Sequence, residues 1–167
     1  MAEKDTIFSS KIKYKGVFSF QDFYKFCYDW LSEEMGLDVS EEKYTEKLKG
    51  NSKDIEVDWI CEKKITDYFK YEIKVSFDIQ NLEKVEITQG NVKVNSNKGG
   101  AEVKIKGIII KDYEGKFEKS AFQKFLRGIY EKWVITSRID QMEGKLVGMC
   151  DEFLAQTKAY LDLEGKK

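Results

Sequence analysis

The sequence predicts an α+β domain: a curved antiparallel sheet of about six to seven strands, in the order strand, helix, strands, helix, gripping a long C-terminal helix. Three observations predict it. From Asp54 to Ile79 apolar and polar residues alternate with period two, the pattern of a sheet with one buried and one solvated face. From Ser120 to about Leu163 apolar residues recur every three or four positions, which is one face of a helix. Between the first strand and the rest stands a segment with its own helix start and stop signals.

Ile7 to Phe18 reads as the first strand, with Ile12 and Tyr14 on one face and Lys11, Lys13 and Lys15 on the other. Ser19-Phe20-Gln21-Asp22 has the form of a capping box, in which Ser19 accepts a free backbone N–H. Phe18 and Phe23 occupy the positions of a hydrophobic staple. The helix that follows turns Phe20, Phe23, Tyr24, Cys27 and Leu31 inward and stops at Gly36. Residues 40–49 fit either a short helix or a strand. The alternation of Tyr44, Glu46 and Leu48 before Gly50-Asn51-Ser52 favours a strand from about Glu42 in a hairpin.

In the alternating region Ile55, Val57, Trp59 and Cys61 face one way, as do Phe69, Tyr71, Ile73, Val75, Phe77 and Ile79. Val85 and Ile87 are odd-numbered while Val92 and Val94 are even. A two-residue Gly90-Asn91 turn reconciles them by pairing Ile87 with Val94. Asn95 to Gly100 reads as a second turn, followed by a last strand through Ala101, Val103, Ile105, Gly107 and Ile109. Around Ile108-Ile109-Ile110 both faces become apolar, implying cover on both sides or a bulge at Gly107. Ser120, with Gln123 three residues on, caps the final helix.

Composition narrows the chemistry. The 167 residues, spanning 1–167, fit one domain, with 41% hydrophobic and 35% charged residues. The net charge of −1 argues against a general nucleic-acid binder, and Arg127 and Arg138 are the two arginines. Histidine is absent, which excludes Ser–His and Cys–His catalysis and His-ligated zinc. Cys27, Cys61 and Cys150 stand far apart on apolar faces and read as inert buried thiols in a reduced, cytoplasmic setting. Asp54, Glu56 and Asp58 share a strand face without the loop of a calcium site. The charges of the solvated sheet face, such as Lys70, Glu72 and Lys74, read as cross-strand pairs. No catalytic residue, metal ligand, cofactor, signal peptide or transmembrane segment is expected.

The order of elements resembles the helix-grip fold shared by START lipid-transfer domains and the pollen-allergen-type ligand binders. Gly50-Asn51-Ser52 stands where that superfamily carries a glycine-rich loop, and one longer helix stands where it has two short ones. The resemblance implies a C-terminal helix lying across a curved sheet around an apolar cavity, open to a lipid-like or aromatic small molecule. The candidate wall is then Phe23, Tyr24, Trp59, Phe69 and Tyr71, with Phe77, Ile105, Phe125, Ile129 and Trp133. A filled aromatic core is the competing reading.

Length raises a second expectation. A straight helix over Ser120–Leu163 would span roughly 65 Å, beyond strands of about 40 Å. Either it breaks near Gly144 and Gly148, or its end from Val147 projects. A projecting end would offer Met149, Phe153, Leu154, Tyr160 and Leu161 to a partner chain, making a homodimer or a docking module.

Overall fold

The computed structural model describes residues 3–113, 121–129 and 136–165. Five strands, β1 (Glu3–Val17), β2 (Asp38–Lys49), β3 (Ser52–Lys64), β4 (Phe69–Gln89) and β5 (Val92–Lys111), form one antiparallel sheet in the order β1-β5-β4-β3-β2. Helix α1 (Phe20–Asp29) continues into a wider π-helical turn over Trp30–Glu34, and α2 (Ala121–Ile129) and α3 (Thr136–Glu164) follow the sheet.

Five strands replace the expected six to seven because β5, at 20 residues, runs on through the expected Asn95–Gly100 turn and β4, at 21 residues, continues from Ile79 to Val85 without a break. Their pairing holds from Phe69↔Lys111 to Gln89↔Val92, with one register shift between Gln80 and Glu83. There Asn81 adopts φ 54° and donates its N–H to Asp54 Oδ1 at 2.9 Å. Asparagine tolerates this left-handed conformation better than most residues. Opposite the bulge, Gly99 is forced by proximity: a Cβ there would lie 2.9 Å from the Gln80 carbonyl oxygen. The Asn95–Gly100 run is therefore strand, its glycine serving close backbone approach rather than a turn.

The hairpin turns are where the sequence places them. Ile87 pairs with Val94, and Lys49 pairs with Ser52 across Gly50-Asn51, so residues 38–49 are strand. Gly50 and Gly90 have φ of 60° and 63°, the left-handed first position of a type II′ turn. Ser19 accepts from Asp22 N–H at 3.4 Å, and the Phe18 and Phe23 rings meet edge to face, 5.7 Å between centroids. Gly36, at φ 66°, ends the segment.

Both helices cover the sheet's inner face. Phe23, Cys27 and Leu31 descend from α1, and Leu146, Cys150, Phe153, Leu154 and Leu161 from α3, onto one buried apolar cluster. Gly107 lets α3 approach β5, since a Cβ there would fall 2.9 Å from Cys150 Sγ. The Tyr71 hydroxyl donates to the Met142 carbonyl at 2.7 Å and ties β4 to the same helix. α3 runs unbroken through Gly144 and Gly148. At about 43 Å it is matched by strands of 20 residues, so its end has a surface to lie on. The expected cap at Ser120 lies outside the described residues.

On the outer face, Ile108 and Ile110 are buried as well, and Lys4, opposite Ile110, reaches Glu72 beyond β5 at 3.7 Å. The irregularity at this end is in β1, between Thr6 and Phe8. Elsewhere on this face, where two charged residues stand directly opposite one another they mostly carry like charge: Glu56, Asp78 and Glu102 form one row, and Lys74 faces Lys106. Ion pairs therefore run largely on the diagonal, as Lys43–Glu56 at 2.6 Å and Lys70–Glu62 at 2.8 Å, with Lys13–Glu102 at 3.9 Å a straight one.

Candidate functional site

The residues expected to wall a cavity separate into three groups. Phe23, Trp59, Phe69, Tyr71, Phe77 and Ile105 are buried in the cluster between sheet and helices, with Tyr24 half-buried beside them. Their rings contact each other directly: Phe23 meets Phe77 at 5.8 Å and Trp59 meets Phe77 at 4.9 Å, both edge to face. Phe125 and Ile129 are instead exposed on α2, and Trp133 lies outside the described residues.

The residues expected on a projecting helix end face this chain's own core. Phe153, Leu154 and Leu161 are buried and Met149 is half-buried. Tyr160 stacks on Phe26 of α1, with 4.5 Å between centroids and 12° between planes. The apolar face recurring every three or four residues is real, but β1, β5 and α1 occupy it. The exposed apolar side chains of the described helices include Phe125, Leu126 and Ile129 on α2.

Room is found at the far end of the inner face. A cleft of about 830 Å³ opens between the start of α1, the β2–β3 turn and the β4 bulge. Leu82 forms its buried floor and Phe20 and Leu48 its apolar sides, while most of the lining is polar, with Gln21, Ser52, Lys53, Glu83, Lys84 and Asn97 in the rim around them. Asn97 also braces the wall, because its Oδ1 accepts the Phe20 N–H at 3.1 Å. Leu48, 78% exposed, shares the inner face of β2 because it pairs with Lys53. The alternation of Tyr44, Glu46 and Leu48 puts Leu48 on a strand face, but the cleft needs three chain segments to meet and leaves no signal in any one of them.

Beside the cleft lies a polar aromatic network. Glu41 Oε1 on β2 accepts from the Tyr24 hydroxyl at 2.5 Å and from Trp59 Nε1 at 3.2 Å, while Tyr44 donates to Glu46 at 2.9 Å. Burial, then the adjacent carboxylate, pushes Tyr24 and Tyr44 up to about 12. Burial also pushes Cys61 and Cys150 up to about 12 and Cys27 further, so none offers a thiolate near neutral pH. Asp54, one of the aligned carboxylates, is occupied by Asn81 N–H and Lys49, which hold it below the ordinary range. Among the described residues no cluster of acidic and cysteine side chains has the arrangement of a metal site, and no helix is long and apolar enough to cross a membrane. Comparison with protein-family models, with curated proteins and with solved structures finds no match to this chain.

Proposed function

We propose that this chain is a non-catalytic binding domain of the helix-grip type, taking a lipid-like or aromatic small molecule at the open end of its inner sheet face. The observation that carries the reading is the cleft of about 830 Å³ floored by Leu82. Sites for small molecules commonly enclose on the order of 300–1,000 Å³ with apolar walls and a few polar groups. The pairing of β1 with β5, the last strand, and the course of α3 along both support the helix-grip assignment. The ligand's apolar body lies against Phe20, Leu48 and Leu82, and its polar end meets the rim.

Native mass spectrometry of the purified chain, set against its denatured mass, tests for a retained ligand. Titration with a hydrophobic fluorescent probe tests the place. Leu48→Asp is suited to this because Leu48 is exposed and contributes little to the core. It should weaken the probe about tenfold, equivalent to roughly 1.4 kcal/mol. An empty chain that takes up no probe, or equal binding by Leu48→Asp, would sink the proposal.

A second reading rests on α2, where Phe125 is 63% exposed beside Leu126 and Ile129. An apolar face on a short helix suits docking to another protein. Self-association of the chain, seen as concentration-dependent sedimentation and abolished by Phe125→Asp, would favour it with a second copy of the chain as the partner.

A further inference from the structure

The two edges of the sheet are treated differently. β1 is guarded by the chain's own last helix: α3 lies along it, and Lys158 Nζ donates to the Lys13 carbonyl at 2.9 Å. Among the described residues β2 pairs with β3 alone, and all of its residues except Val39 are exposed. Alternate residues of this twelve-residue edge strand thus present backbone donors and acceptors outward, a template onto which another strand can add.

The side chains of that edge say what can add. On the inner side stand Glu41, Tyr44, Glu46 and Leu48, and across from them Tyr28 of α1, with Tyr28 and Tyr44 43% and 44% exposed. Tyr28 and Tyr24 both meet the Trp59 ring edge to face, at 5.9 Å and 5.1 Å. Glu46 already pairs with Lys53 at 3.5 Å, so an arriving cation shares that carboxylate, and with Glu41 and the exposed tyrosines beside it gains both an ion pair and a ring face. A second copy of the chain is disfavoured. Two antiparallel β2 strands related by a two-fold axis place residue pairs symmetrically about the centre. Centres from Lys43 to Leu48 oppose, in turn, Lys43 with itself, Glu46 with the bulge at Glu41–Glu42, Lys43 with Lys47, Glu46 with itself, Lys47 with itself, and Lys47 with Lys49. Each opposes like charges, which destabilises a strand pair. The edge rejects its own copy while leaving its backbone open to a complementary strand.

We infer that β2 receives an extended segment of another protein, carrying lysine or arginine at alternate positions, as a sixth strand whose cations meet Glu41 and Glu46 beside Tyr44. The site adjoins the cleft at Leu48, but Glu41, Tyr44 and Glu46 stand outside the cleft's lining, so the inference rests on the β2 edge and not on what the cleft binds. The test uses the full chain and three synthetic ten-residue peptides: one alternating lysine or arginine with threonine, one with glutamate in place of the cations, and one cationic but N-methylated at alternate residues. Backbone amide NMR shifts locate the site. The cationic peptide should shift amides of β2 and of α1 around Tyr24 and Tyr28 and slow exchange at β2 amides. The glutamate and N-methylated peptides should bind at least about fivefold more weakly, the scale of a few lost cross-strand pairs. Glu41→Gln with Glu46→Gln should lose a similar factor while the circular dichroism spectrum stays that of the parent. Equal binding of the acidic peptide, undiminished binding of the N-methylated one, shifts located away from β2, dimerisation through β2, or no binding at all would each overturn the inference.

Discussion

Alanine at Gly107 would normally help a strand, since glycine in a strand interior costs on the order of 0.5–1 kcal/mol relative to alanine. Here it should hurt. Gly107 pairs with Phe8 and Ile73 on the inner face, directly beneath α3. A Cβ at this position would lie 2.9 Å from Cys150 Sγ, 3.3 Å from Leu146 Cγ and 3.4 Å from Phe8 Cβ. Cys150 and Leu146 are both fully buried, so neither can swing into solvent. Overpacking a tight core costs about 1–3 kcal/mol, which exceeds the strand gain and predicts a net loss of roughly 1–2 kcal/mol. Removing the sulfur should return part of it. Cys150→Ala alone should cost on the order of 1 kcal/mol, and the double variant should fall short of the summed losses by about 1 kcal/mol. Urea unfolding followed by far-UV circular dichroism measures all four proteins. If Gly107→Ala is as stable as the parent, or if the two losses simply add, then α3 does not rest on Gly107 and the docking of the helix described above is wrong.

The helix glycines should behave in the opposite way. A Cβ at Gly144 or Gly148 meets nothing within 4 Å, so alanine at either should stabilise by up to about 1 kcal/mol, read as a higher melting temperature. In alkaline solution Tyr24 and Tyr44 should ionise near 12, late against an ordinary tyrosine, as followed by ultraviolet absorbance. Because their folded values are raised, the unfolded chain releases these protons first. The associated stability is complete below about 10 and is lost as the pH climbs toward 12. Melting temperatures that do not fall across that window would contradict the Tyr24–Glu41 and Tyr44–Glu46 pairings. A thiol reagent at neutral pH should find Cys27, Cys61 and Cys150 unreactive until denaturant is added, because all three are buried. A fast-reacting thiol in the folded protein would place one of them at the surface.

The amino-acid order by itself determined what depends on near neighbours. Ser19 and the Phe18–Phe23 pair start α1, Gly36 ends it, and Gly90-Asn91 sets the register of Ile87 against Val94. Each follows from the backbone geometry of a few consecutive residues. Alternation from Ile55 to Ile79 likewise fixed which side chains face inward, because a strand offers only two faces. What the order could not settle was how distant segments meet. Asn95 to Gly100 has the composition of a turn, and only the bulge at Asn81 in the adjacent strand shows that Gly99 is there to let two backbones close. That continuity lengthens β4 and β5, removes the extra strands, and gives α3 enough sheet to bury Phe153 and Leu161 rather than project them. The cleft above Leu82 is a product of the same tertiary arrangement. It exists where α1, the β2–β3 turn and the β4 bulge come together, and no single stretch of the chain contains it.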